Sequence, residues 1–181
     1  MRRLRRPLCL AALLCALSPA GLSAAPADDA RRCIELVNAR SDLETAVQHC
    51  TRAIRSRVFK GSNLAPLYYN RGWAQDELGE KQQAIADYSS AIKIQSDYIP
   101  AYVARGYTHM SLGELDSAID DYTLVLRVDP DVFLARFNRA LALEQRGELP
   151  AAMEDYRKAY ELRPDNQRAR DAMKRLLLLE E

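Results

Sequence analysis

The fold is decided by residues 65–98, which read APLYYNRGWAQDELGEKQQAIADYSSAIKIQSDY. Residues 99–132, IPAYVARGYTHMSLGELDSAIDDYTLVLRVDPDV, follow the same pattern, and residues 133–166 follow it a third time. Three sets of residues recur at the same spacing from one unit to the next, without insertions. They are Leu78-Gly79-Glu80, Leu112-Gly113-Glu114 and Arg146-Gly147-Glu148; Ala84, Ala118 and Ala152; and Asp87-Tyr88, Asp121-Tyr122 and Asp155-Tyr156. A fixed period of this length is typical of a solenoid built from repeated supersecondary units.

Each unit is predicted to contain two helices. Residues 65–78 carry apolar side chains at three- and four-residue spacing, which indicates a helix. Gly79 is placed to end that helix, because glycine accepts the left-handed conformation needed there. A second helix is predicted over residues 81–95, with Ala84 and Tyr88 on one face. Small residues recur in both helices because larger ones would hold the pair apart.

These residues resemble the tetratricopeptide repeat. The resemblance covers residues 65–164, and in the first unit it rests on Tyr68, Gly72, Leu78, Gly79, Ala84, Tyr88 and Ala91. The third unit departs from the pattern, with Arg136 in the tyrosine position and Ala140 in the glycine position. The resemblance implies an all-α fold, a right-handed α-solenoid of about four helical hairpins and a C-terminal capping helix.

The chain is therefore divided into a leader and an array of hairpins. A degenerate first hairpin and its loop are predicted over residues 28–64, with the first helix from about Asp29 to Ala39. The three clear repeats occupy residues 65–98, 99–132 and 133–166. An amphipathic helix over residues 167–181 is expected to cover the open end of the stack, as terminal caps must.

The N-terminus has the order of a secretory signal peptide over residues 1–27. Four arginines precede an uncharged apolar run over residues 8–17, and small residues follow. Cleavage is predicted after Ala27, because cleavage after Ala25 would leave Pro26 as the first residue. The run is too short to span a bilayer of about 30 Å, so a short uncut membrane anchor is the second interpretation. The predicted location is periplasmic or secreted, with no membrane insertion after removal of the signal.

Two cysteines, Cys33 and Cys50, remain after the predicted cleavage. If the first hairpin is aligned with the next so that Ala46 matches Ala84, the two cysteines occupy facing positions on its two helices. An export context favours a disulfide between them, which would close a loop and contribute roughly 3 kcal/mol. The alternative is a pair of small buried thiols. The spacing does not match a Cys-x-x-Cys redox pair.

No set of residues in the sequence predicts catalysis. His49 adjoins Cys50, but adjacent residues on a helix do not face each other, and His109 is interpreted as a packing or surface residue. Metalloprotease, phosphate-loop and nucleophile-elbow motifs are missing from the sequence. We therefore expect no enzyme activity, no cofactor and no metal. The 26 basic and 25 acidic side chains also give no basic excess that would predict nucleic-acid binding.

Arginine and aspartate recur together, as Arg71 with Asp87 and at the equivalent positions of the next two units. A feature present in every unit is best interpreted as a structural ion pair between the two helices of a hairpin. Such pairs are worth only about 0–1 kcal/mol when exposed. The alternative is a basic ladder for a carboxylate-rich ligand.

The family resemblance also implies where a partner would bind, because the first helices of successive hairpins line the concave face. The predicted groove residues are Tyr69, Asn70, Trp73, Val103, Tyr107, Phe137, Asn138 and Leu141. Aromatic anchors are frequent in binding hot spots, although the same side chains could simply pack between hairpins. Pro100 and Ala104 occupy positions where some chaperone-binding relatives carry basic clamp residues, which argues against that specific ligand.

The predicted function is an exported protein-interaction module, an adaptor or assembly factor of the cell envelope that binds a peptide or helix in its concave groove. The alternative is a self-associating scaffold subunit, a homo-oligomer without a separate ligand. That alternative rests on the leucine run over residues 176–179, because four consecutive leucines cannot all pack against one hairpin.

Overall fold

The computed structural model describes residues 21–177, with side chains described for residues 25–175. This part of the chain contains nine α-helices and one short 3-10 helix, with no strand. The α-helices are α1 (Gly21–Ala39), α2 (Leu43–Arg55), α3 (Ala65–Glu77), α4 (Lys81–Ile94), α5 (Ile99–Ser111), α6 (Leu115–Val128), α7 (Phe133–Arg146), α8 (Leu149–Leu162) and α9 (Gln167–Leu177). The all-α prediction of four hairpins and a final helix is confirmed.

The helices pack in two layers. Each helix contacts the next one along the chain, and α3 also contacts α1 and α5, while α5 also contacts α7. The odd-numbered helices therefore lie side by side in one layer, and the even-numbered helices cover them. None of the described helices is both long enough and apolar enough to cross a membrane.

Close approach within a hairpin depends on a tyrosine packed on a glycine. The rings of Tyr88 and Tyr122 are buried against Gly72 and Gly106, where an added Cβ would lie only 3.0 Å and 2.9 Å from the ring atoms. Turns between paired helices use a glycine with positive φ, for example Gly79 at 84°. The conformation suits glycine because it lacks the Cβ that would clash. The tyrosine–glycine packing and the glycine turn explain why glycine and tyrosine recur at equivalent positions of successive units.

The first hairpin differs from its sequence-based description. Helix α1 is described from Gly21 onward and so includes residues before Asp29, where the sequence predicted the first helix to start. The prediction stopped at the expected cleavage point, but the alanines before it are strong helix formers, and the helix continues through Pro26 and Ala27. Residues 1–20 of the predicted signal peptide lie outside the described residues. The predicted loop after α2 contains the 3-10 helix Gly61–Leu64.

A disulfide joins Cys33 on α1 to Cys50 on α2, and both residues are fully buried. Their side chains form a small core with Ala30, Ala53 and Leu67, so the bridge lies where the first hairpin meets α3. A covalent link therefore stands at the centre of the one hairpin whose sequence matches the repeat least.

Candidate functional site

A groove of about 410 Å³ opens on the layer of odd-numbered helices, along α3, α5 and α7. Five of the eight predicted groove residues line it: Tyr69, Trp73, Val103, Tyr107 and Asn138. Tyr107 is half exposed at 51%. The groove is mainly apolar, and aromatic rings supply much of its wall, as is common in sites that bury a ligand.

The other three predicted residues do not line this groove. Asn70 lines a smaller cavity beside Arg40, and its amide donates a hydrogen bond to the Pro66 carbonyl of its own helix at 2.7 Å. Phe137 and Leu141 line a third cavity together with residues of α9. Phe137 is only 5% exposed, because it packs against Tyr156 and α9. The predicted strip is therefore interrupted where the last helix covers α7.

Several lining residues were not among the predicted groove residues. Asp76 and Glu77 lie on the last turn of α3, while Ile99, Val132 and Leu134 add apolar surface. The sequence column does place Asp76 at the edge of the predicted strip, since positions 76, 110 and 144 lie one turn beyond Trp73 and its equivalents. Val132 and Leu134 flank the start of α7, and no sequence pattern indicated that they reach the groove.

Asp76 is a buried carboxylate, with only 8% of the residue exposed. Its Oδ1 atom accepts hydrogen bonds from Lys81 Nζ and Thr108 Oγ1, both at 3.0 Å. Thr108 belongs to the next hairpin, so this contact ties α5 to α3 below the groove. Burial raises the pKa of the Tyr88 phenol, and the negative charge of Asp76 raises it further. A phenol is neutral at physiological pH even without this shift, so the Tyr88 hydroxyl at the groove wall can donate a hydrogen bond.

The three buried tyrosines of the even-numbered helices differ in their hydrogen bonding. Tyr156 donates its hydroxyl hydrogen to Glu144 at 2.7 Å. Tyr122 has no hydrogen-bond partner among the described residues, because Met110 stands at the position equivalent to Glu144. Burial raises the pKa of Tyr122, and the side-chain amide of Asn138 lies close enough to lower it in part, although the amide and the hydroxyl do not form a hydrogen bond of ordinary geometry. The middle hairpin thus carries one unsatisfied buried hydroxyl.

The recurring arginines are used inside the protein. Arg105 makes two parallel hydrogen bonds to Asp121, at 2.9 Å and 2.6 Å, and a third to Ser89 of the preceding hairpin at 2.8 Å. The same arrangement occurs in the other two units: Arg71 with Asp87 and Thr51, and Arg139 with Asp155 and Thr123. Each arginine therefore links the two helices of its own hairpin and the hairpin before it. The structural interpretation of this column agrees with these contacts.

The two histidines also have local partners. His49 contacts Asp29 at 2.6 Å, and Arg52 donates to the same carboxylate at 3.0 Å. His109 lies beside Glu114, at the turn that follows α5. No cluster of three or more potential metal ligands is found within the described part of the chain. Neither histidine lines the groove.

Comparison with known proteins identifies the repeats. Two family models, both described as tetratricopeptide repeat, match residues 65–98 and residues 103–176, together more than half of the chain. Neither matched model describes an enzyme. A search of curated proteins finds no match.

Solved structures with similar folds are also tetratricopeptide repeat proteins. One from Parabacteroides merdae has a TM-score of 0.76 at 25% identity, covering 84% of this chain, which spans only 59% of that protein. YrrB, described as having an unusual peptide-binding site, has a TM-score of 0.73 at 21% identity, covering 84% of this chain and 76% of its own. The first repeat domain of Spaghetti (RPAP3), solved with the HSP90 peptide SRMEEVD, has a TM-score of 0.64 at 20% identity and covers 67% and 97%. The chain therefore belongs to the tetratricopeptide repeat family.

Proposed function

We propose that the chain is an exported protein-interaction module that binds a peptide or a helix in the groove along α3, α5 and α7. The observation that carries the proposal is the groove itself, which combines a half-exposed tyrosine, the only tryptophan of the chain and an apolar floor. Large, rigid aromatic side chains of this kind contribute most to binding energy in protein interfaces.

Related folds support a peptide as the ligand. The RPAP3 domain was solved with a bound peptide, and YrrB is described as having a peptide-binding site. Because these proteins are only 20% and 21% identical to this chain, the similarity extends to the architecture but does not identify the ligand. The ligand class must therefore come from the groove residues of this chain.

Export is supported by the order of the first 27 residues and by the buried Cys33–Cys50 bridge, because oxidising compartments preserve disulfides. The test is expression of the full chain in a bacterial host, followed by fractionation and mass spectrometry of the N-terminus. A mature chain beginning at Asp28 in the periplasmic or extracellular fraction would support the proposal. A full-length chain held in the membrane would support the uncut anchor.

Binding is tested by capture from a cell-envelope extract with the oxidised protein as bait. A Trp73→Ala/Tyr107→Ala double variant removes the aromatic wall, and a Val128→Ala/Leu149→Ala double variant removes exposed apolar groups elsewhere. Circular dichroism must first show that all three baits are equally helical. A protein retained by the original bait and by the control variant, but lost by the groove variant, would support the proposal. Equal retention by all three baits would contradict it.

Self-association is the second candidate, and the leucines over residues 176–179 favour it. Light scattering of the purified protein over a range of concentrations separates the two candidates. A mass that stays at one chain at high concentration would count against the scaffold function.

A further inference from the structure

The groove along α3, α5 and α7 is aromatic and acidic. Asp76 and Glu77 supply two carboxylates, and no lysine, arginine or histidine is among the lining residues. We propose that the groove selects a ligand segment that carries a lysine or arginine side chain between apolar residues. This inference rests on the proposed peptide-binding function and specifies which peptides the groove accepts.

Asp76 offers an acceptor atom that the protein leaves open. Its side chain is only 9% exposed, and both of its hydrogen bonds, from Lys81 and Thr108, go to Oδ1. Oδ2 accepts no hydrogen bond from any described residue, although an ionised carboxylate can accept about four. A buried carboxylate gains most from a charged donor. A ligand ammonium or guanidinium group reaching the base of the groove would supply a charged donor to Oδ2, as Lys81 does to Oδ1.

The aromatic wall favours the same ligand chemistry. Tyr69, Trp73 and Tyr107 line the groove, and a cation over the face of such rings is attracted by their π-electrons. The protein already uses this interaction at the neighbouring cavity, where the Arg40 guanidinium lies 5.3 Å from the centre of the Trp73 ring. An arginine or lysine of a ligand would meet the same kind of surface inside the groove.

Among the described residues, the charges around the groove sum to a net negative charge. Lys81 pairs with Asp76, so the charge of this carboxylate is largely balanced within the protein. Glu77 is exposed and makes no ion pair with a described residue. Arg40 lies at the adjoining cavity, over Trp73. One uncompensated carboxylate therefore remains at the rim, and the apolar side chains of Ile99, Val103 and Leu134 are left to contact the residues that flank the cation.

The test uses the single tryptophan as its own reporter. Three acetylated and amidated peptides of the sequence Gly-Ala-Leu-Ala-X-Ala-Leu-Ala-Gly, with X as arginine, norleucine or glutamate, are titrated into the purified protein. Trp73 fluorescence is followed, because Trp73 lines the groove and no other tryptophan contributes. We expect the arginine peptide to bind about tenfold more tightly than the norleucine peptide, as one charge-assisted hydrogen bond would provide. The glutamate peptide should bind most weakly, and the preference should decrease with added salt.

Matched variants identify the carboxylates responsible. Glu77→Gln should reduce the arginine preference about threefold, and Asp76→Asn should reduce it further if circular dichroism shows a normal fold. Glu80→Gln removes an exposed carboxylate outside the lining residues and should leave the preference intact. Equal affinity for all three peptides, or an unchanged preference in Glu77→Gln, would overturn the inference while leaving the groove as a peptide site. Failure of every peptide to bind would count against this inference and the proposed function together.

Discussion

Replacing Tyr156 with phenylalanine should destabilise the protein, whereas the same replacement at Tyr122 should not, although both tyrosines are fully buried in equivalent positions. The Tyr156 hydroxyl donates to the Glu144 carboxylate at 2.7 Å. A hydrogen bond to a charged group contributes about 1.5–3 kcal/mol. Glu144 keeps its contact with Arg175 in the variant, so we expect Tyr156→Phe to lower the free energy of unfolding by about 1–2 kcal/mol.

Tyr122→Phe removes a buried hydroxyl that has no partner within the described residues. An unsatisfied buried polar group costs about 1–3 kcal/mol, and replacing it with an apolar group of the same shape is neutral or stabilising. We therefore expect Tyr122→Phe to leave stability unchanged or to raise it by about 1 kcal/mol. The cause lies at Met110, whose equivalent in the next hairpin is Glu144.

The measurement is urea unfolding followed by circular dichroism, with midpoint and slope fitted for each variant. A third variant is Met110→Glu, which should supply an acceptor to the Tyr122 hydroxyl. This substitution should therefore stabilise the original chain more than it stabilises the Tyr122→Phe variant. The difference between the two backgrounds isolates the new hydrogen bond. If Tyr122→Phe destabilises as much as Tyr156→Phe, the reasoning is wrong, and Tyr122 has a partner that the described contacts do not include.

Three further predictions concern stability. A Cys33→Ala/Cys50→Ala variant should lose about 3 kcal/mol, since the bridge closes a loop with a sequence separation of 17 residues; reduction of the original chain should lower the urea midpoint by a similar amount. Gly106→Ala should lower the thermal midpoint, because its Cβ would lie 2.9 Å from the Tyr122 ring, and overpacking of a core costs about 1–3 kcal/mol; an unchanged midpoint would show that the ring can move aside. Burial alone would raise the pKa of Asp29, but hydrogen bonds from α2 hold this pKa below its ordinary value. The ionised carboxylate therefore stabilises the fold above about pH 4, and this contribution is lost as the pH falls further. Asp29→Asn should make the free energy of unfolding less dependent on pH in the acid range.

Most of the fold followed from the sequence because a repeat gives the same information several times. The constant step between units aligned Gly72 with Gly106 and Tyr88 with Tyr122, and each pair does the same packing in the structure. The first hairpin was harder to place in the sequence, because it aligns with the next hairpin only if the spacing between the two is longer than the spacing between the later units. The start of α1 was predicted at about Asp29 because the expected cleavage point was used as a boundary, whereas in the uncut chain the helix also includes Pro26 and Ala27.

The groove was harder to predict than the fold. Register places Tyr69, Val103 and Phe137 in one row, but it does not show that α9 covers the last of them. Nor does register show which carboxylate has an open oxygen, because that depends on Lys81 and Thr108 reaching the same atom of Asp76. The position of a residue in the repeat shows which face of the helix it lies on, whereas the contacts that decide binding are made by residues of neighbouring hairpins.

The arginine column helps to decide which end of the helical stack opens first. The three arginines tie consecutive hairpins together, and the corresponding position holds Cys33 in the first hairpin and Met173 on α9. At this position the two helices of the first hairpin are therefore joined by a disulfide, those of the next three hairpins are joined by ion pairs, and α9 has only an apolar side chain. In a linear array whose units contact only their neighbours, opening starts at the most weakly attached end. Hydrogen exchange should be fastest in α9, and each opening of α9 would uncover Phe137 and Leu141, lengthening the concave surface by one row.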